Sequence, residues 1–134
     1  MKKLSLLFFF LSQLILAQDY LTSLKDTSDW NGWQAILIQN GLISTATVPD
    51  IGARVMQYNL EGQVSIYRDS SLNGQTYTPS ASSPFHNLGG FKNWPSPQYG
   101  TGRWSWPPPP TLDCGKYTYE ILADTPDSAE IQVT

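Results

Sequence analysis

Short runs of alternating apolar residues, each cut off by a turn sequence, constrain this chain more than any other feature. Ala35 to Gln39 is apolar through Ile36, Leu37 and Ile38 and stops at Asn40-Gly41. Asn-Gly suits a type I′ hairpin turn, which needs positive φ at both central positions. Leu42 to Val48 then alternates, with Leu42, Ser44, Ala46 and Val48 on one face and Ile43, Thr45 and Thr47 on the other. It is rich in the β-branched residues that pack well on a pleated surface. Pro49-Asp50-Ile51-Gly52 breaks the run with turn chemistry. Arg54 to Leu60 resumes it, with Met56, Tyr58 and Leu60 on one face and Val55 on the other; Glu61-Gly62 turns again, and Gln63 to Tyr67 returns. The spacing predicts a four-stranded antiparallel meander over residues 35–67. No helical period of useful length occurs after the first 17 residues.

Around this block the pattern weakens. Asp19 to Asn31 is polar, and Asp29-Trp30-Asn31-Gly32-Trp33 reads as a turn flanked by two anchoring indoles. Residues 68–83 are rich in Ser, Asn, Thr and Gly and read as a loop. Pro84 to Pro110 holds seven Pro, four Gly and three Trp. Proline lacks the amide donor that a sheet ladder needs, so irregular structure is expected there. Its aromatic content sets it apart from plain disorder. Pro107 to Pro110 suits polyproline II, as a docking ligand or as a rigid spacer. Lys116 to Leu122 alternates again, Asp124-Thr125-Pro126-Asp127 turns, and Ser128 to Thr134 starts another strand. A chain that stops inside a strand is the pattern expected of the N-terminal part of a larger protein or of a truncated gene product.

The first residues read as an export signal. Lys2 and Lys3 precede a mostly apolar stretch from Leu4 to Leu16, and Ala17 supplies a small residue before Gln18. The apolar run, about 13 residues, falls short of the roughly 20 that span a bilayer. Residues 1–17 are therefore expected to be a cleaved signal peptide and residues 18–134 an exported domain, periplasmic or extracellular, with no membrane segment left after cleavage. Loss of Lys2 and Lys3 takes the formal charge from −3 to −5. An acidic domain has no basic surface to attract phosphates, which argues against nucleic acid. The single cysteine, Cys114, excludes an internal disulfide and reads as a nucleophile or as a buried, incidental thiol. Aromatic residues make up 13% of the chain and charged residues only 14%. That balance points to a neutral ligand such as carbohydrate, whose apolar C–H faces stack on aromatic rings, or to an aromatic core. Neither metal-ligand spacing nor a phosphate-cradling loop occurs, so no cofactor is expected. Oligomeric state is not legible.

Two segments carry a resemblance. The first runs from Ile38-Gln39-Asn40-Gly41-Leu42 through Val48-Pro49-Asp50-Ile51-Gly52-Ala53-Arg54-Val55 to Leu60-Glu61-Gly62. The second is His86-Asn87-Leu88-Gly89-Gly90-Phe91-Lys92-Asn93-Trp94-Pro95-Ser96-Pro97-Gln98. The first resembles the opening of the galactose mutarotase-like superfamily; the second resembles the Gly-Gly segment with a following Trp-Pro element in its aldose and hexose-phosphate epimerase relatives, and more closely in its uncharacterised, mostly bacterial branch. The resemblance implies an all-β, antiparallel β-sandwich (a supersandwich of about twice this length) and a carbohydrate or sugar-like ligand. In catalytic members a His protonates the ring oxygen while a Glu removes the proton of the anomeric hydroxyl, which is general acid–base chemistry.

His86, the only histidine, is the candidate acid, or else structural. The resemblance puts the catalytic Glu beyond Thr134, and Glu61, Glu120 and Glu130 do not match its motif. Arg54 offers a fork of donors for a hydroxyl or carboxylate, or pairs with a carboxylate of its own. Lys92, Trp94, Gln98 and Arg103, with Trp104 and Trp106 on one face of an extended segment, would set polar donors around an aromatic platform. The two indoles could equally seal the core. The expectation is an exported carbohydrate-binding domain. The alternatives are an active aldose or hexose epimerase in a longer form, and a protein-interaction domain that uses the Trp/Pro loop.

Overall fold

The computed structural model describes residues 21–93 and 107–134. Its main sheet is antiparallel, in the order β1 (Ser23–Trp30), β2 (Trp33–Gln39), β3 (Ile43–Val48), β4 (Arg54–Leu60). A second antiparallel sheet is the hairpin of β5 (Tyr119–Thr125) and β6 (Ser128–Val133). The fold is thus mostly β, as the alternation predicts. Residues 1–17, with the expected signal peptide, lie outside the described residues, as do Trp94, Gln98, Arg103, Trp104 and Trp106. No helix among the described residues is long and apolar enough to cross a membrane.

The meander is displaced from its expected position. Its outer strand is β1, in the stretch read as weakly patterned, whereas Gln63 to Tyr67 forms no strand beyond a bridge between Gln63 and Leu60. β1 pairs with β2 from Ser23↔Gln39 to Trp30↔Trp33, with a register break between Lys25 and Ser28 that scrambles its alternation. An edge strand paired through its backbone tolerates such polar composition.

The turns also exchange roles. Asn31-Gly32 (φ 52° and 86°), between β1 and β2, and Glu61-Gly62 (φ 48° and 80°), after β4, are tight turns with positive φ at both positions. At Asn40-Gly41 only the glycine has positive φ. There the Asn40 side chain instead accepts from the amides of Leu42 and Ile43, 3.1 and 2.7 Å away, giving a longer loop. Among the described residues the expected all-β character is interrupted by two 3-10 turns, Pro49–Ile51 and Ser70–Leu72, and by one α-helical turn, α1 (Pro110–Cys114), at the end of the proline run. Pro110 tolerates that position because the first helical residue needs no amide donor.

The pairings Leu37↔Ala46 and Ala46↔Gln57 put Trp33, Ala35, Ala46 and Gln57 on one face of the sheet. That face carries the core, in which Trp33, Ala35, Ala46, Val48, Ile51, Met56 and Leu88 are buried and Leu72 and Tyr77 pack around them. Full burial of a side chain such as Ile51 or Leu88 contributes about 1.5–3 kcal/mol. The Trp33 indole donates to the Gln75 carbonyl at 2.8 Å, which ties the 68–83 loop over this face. The register of β3 with β4 shifts beyond Ala46, at the point where Met56 turns toward the core.

Candidate functional site

Arg54 and Lys92, two of the residues expected to hold a ligand, come together in the interior on Asp113. The Arg54 guanidinium meets Asp113 Oδ1 at 2.6 Å, and the Lys92 ammonium meets the same oxygen. Arg54 is 3% exposed, Lys92 8% and Asp113 3%. Arg54 also donates to the carbonyls of Ile51 (3.2 Å), Gly89 (2.7 Å) and Asp113 (3.2 Å). Its fork therefore binds the protein's own backbone, joining the turn before β4, the Gly89-Gly90 segment and α1. Of the two readings of Arg54, pairing with a carboxylate is the one observed. A ligand reaching this guanidinium would have to displace an internal partner.

Burial pushes the Arg54 guanidinium below its ordinary value, and the Asp113 charge acts against that. Burial likewise lowers Lys92; the hydrogen bond to Asp113 raises it, and the Arg54 charge lowers it further. Cys114 is buried beside this cluster, its thiol donating to the Pro110 carbonyl at 3.3 Å. Burial, followed by the Asp113 charge, holds the thiol above its ordinary value. A thiol kept protonated is a poor nucleophile, which favours the structural reading of Cys114.

The cluster governs a cleft nearby through Gly89 and Gly90. The Gly90 amide donates to the Tyr67 carbonyl at 2.9 Å, and Gly89 bridges to Arg68. A Cβ on Gly89 would lie 2.3 Å from the Tyr67 oxygen, and one on Gly90 would lie 2.5 Å from the Met56 sulfur. Only glycines let the two segments approach this closely, and both sit at positive φ (80° and 74°). Residues 66–68 are thereby pinned against β4 and form one wall of the cleft.

That cleft has a volume of about 320 Å³. Trp30, Met56, Val64 and Ile66 give it apolar surface; Gln57, Asn59, Tyr67 and Arg68 give it polar groups. The Gln57 amide is engaged, accepting from the Trp30 indole at 3.2 Å and donating to Ser44 at 2.8 Å. Asn59 has no side-chain hydrogen bond among the described residues, so its amide can both donate to and accept from a ligand. The Arg68 guanidinium lies over the Trp30 ring, 4.9 Å from its centroid, and the other indole, Trp33, stacks at 6.3 Å. None of these lining residues is among those the sequence suggests for ligand binding, although Trp30 reads there as an anchoring indole. The usable signal is the two-residue spacing of Gln57 and Asn59, which puts two amides on one face of β4.

A second cleft, about 280 Å³, lies over Ile36 and is lined by Gln34, Asp50, Lys116, Tyr117 and Tyr119. Its charged groups are already matched, with Lys116 paired to Asp50 at 2.9 Å and the Tyr119 hydroxyl donating to Asp26 at 2.6 Å. The first cleft is the better candidate for that reason. His86 lies in neither lining; its ring stacks on Tyr77 at 3.7 Å between centroids and 11° between planes. Among the described residues no three His, Cys, Asp or Glu side chains converge as a metal site. No family model, curated protein or solved structure matches the chain.

Proposed function

We propose that this chain is an exported carbohydrate-binding domain of the galactose mutarotase-like kind, whose antiparallel sheets belong to a supersandwich and whose sugar sits in the cleft between β4 and residues 64–68. The observation that carries the reading is the lining of that cleft. Aromatic surface from Trp30 and Tyr67 stands beside a carboxamide, Asn59, and a guanidinium, Arg68, neither of which has a hydrogen-bonding protein partner among the described residues. Apolar surface with a few convergent polar groups is the usual composition of a small-molecule site, and the volume falls in the lower part of the usual range of roughly 300–1,000 Å³. Sugars suit it because each ring offers an apolar face and several hydroxyls. The signal-peptide pattern, the low charge and the two resembling segments support the same reading. Arg54, Lys92 and Asp113 act in it as positioning residues, through the Gly89-Gly90 contact with the cleft wall. The reading concerns binding, and no catalytic step is assigned to His86.

A glycan array followed by calorimetry on the purified protein tests it. Asn59→Ala and Tyr67→Ala should each weaken sugar binding by roughly tenfold, as loss of a contact of about 1.4 kcal/mol would. Tyr67 is 65% exposed, so its removal should leave the melting temperature unchanged. Failure to bind any glycan would sink the reading.

A further inference from the structure

The cleft contains an asymmetry that sugar binding alone does not require. Among the described residues Arg68 is its only charged lining residue, in a chain whose formal charge is −3. The contrast with Arg54 is direct. Arg54 is saturated by a carboxylate and three carbonyls, whereas among the described residues Arg68 has neither a carboxylate in ion-pair range nor a side-chain hydrogen bond. Its guanidinium is held instead by the Trp30 ring, 4.9 Å away. A cation–π contact leaves the guanidinium N–H groups available at its edge, and they match a carboxylate in a two-pronged fashion. A neutral sugar filling the cleft would offer this cation only hydroxyl oxygens as acceptors, whereas a carboxylate would also match its charge.

We infer that the cleft selects a carboxylate-bearing sugar, a uronate, with Arg68 as its reader. This rests on the carbohydrate reading of the same cleft. Arg68 receives the carboxylate, Asn59 a ring hydroxyl, and Tyr67 lies along the apolar edge. The preference weakens as salt is added, because part of it is a charge attraction at a partly solvated site.

The test is calorimetry with a panel of oligosaccharides containing galacturonate, glucuronate or mannuronate, each beside its carboxyl-reduced neutral form. At least one acid should bind about tenfold or more tighter than its neutral form, as a charge-assisted hydrogen bond implies. Arg68→Gln should bring the two affinities together, while Arg68→Lys, which keeps the charge, should retain a smaller and still salt-sensitive preference. Melting temperatures of both variants show whether the fold is intact. Equal affinity for acid and neutral forms, unmoved by Arg68→Gln, overturns the uronate assignment and leaves the carbohydrate reading standing. No binding by either form, with no signal on the array, overturns both.

Discussion

Replacing Asp113 by Asn tests whether the interior of this protein depends on one carboxylate. The substitution keeps size and shape and removes the only negative charge between Arg54 and Lys92 among the described residues. At 2.6 Å and an effective dielectric of about 20, a unit charge pair is worth roughly 6 kcal/mol. Asp113 serves both cations through one oxygen, and their mutual repulsion offsets part of that gain. The variant leaves two cations facing each other where Arg54 and Lys92 are only 3% and 8% exposed. Breaking a buried pair in this way costs about 3–5 kcal/mol. Small domains have about 5–15 kcal/mol in total, so the loss is a large share of the stability. Urea unfolding followed by tryptophan fluorescence measures it, and thermal melting should fall by at least roughly 12 °C at about 4–8 °C per kcal/mol. The pH dependence gives a second signature. Burial holds Lys92 below its ordinary 10.5, so its charge penalty is fully present below its folded value and fades as pH rises from there toward 10.5. Removing Asp113 lowers Lys92 further, so the deficit of the variant should narrow in alkali. A loss below about 1 kcal/mol, or a deficit flat with pH, would refute the claim that these charges are desolvated.

Other expectations follow from the same geometry. Gly89→Ala, whose Cβ would sit 2.3 Å from the Tyr67 carbonyl, should cost well over 1 kcal/mol and weaken sugar binding; Gly62→Ala, with nothing within 4 Å of its Cβ, should cost only the roughly 1–2 kcal/mol of the left-handed backbone, both read by urea titration. Cys114 should react slowly with a thiol reagent in the native protein and fast in urea. Because its folded value is raised above the ordinary 9.0, stability should be steady below that pH and fall above it; Cys114→Ala should flatten the alkaline limb. Lys116→Ala should change stability by less than about 0.5 kcal/mol, since the Lys116 side chain is 77% exposed in its pair with Asp50.

The sequence makes the inner strands plain and hides the outer one. In β3 Ala46 and Val48 fall on one face of an alternation that can be read without coordinates, and β2 reads as a short apolar run because Ile36 is buried on the opposite face from Ala35. β1 is an edge strand with a register break after Lys25, and backbone pairing leaves no such imprint. Gln63 to Tyr67 alternates convincingly, yet Val64 is 80% exposed. Alternation reports a capacity for pairing; here Phe91 takes the edge of β4 at Val55, and Tyr67 and Arg68 are tied to Gly90 and Gly89 instead. The site was less legible still. Arg54 and Lys92 are visible as isolated cations, but Asp113 lies 59 positions from Arg54, and nothing local announces that the three converge. The cleft joins Trp30 from one edge of the sheet to Asn59 and Arg68 from the other, a proximity that arises only once the sheet has formed.

The attachment of the β5–β6 hairpin has a further consequence. Among the described residues the backbone tethers between it and the main sheet region are the Thr22 amide on the Pro126 carbonyl and, just before β5, the Tyr117 amide on the Pro49 carbonyl; the Tyr119–Asp26 hydrogen bond adds a side-chain link. None of the core residues Trp33 to Leu88 comes from β5 or β6. A unit joined so sparingly can open without dissolving the rest. Its amides should exchange with deuterium in a separate, faster class than those of β2 and β3, so that the protein behaves as two coupled folding units of unequal depth.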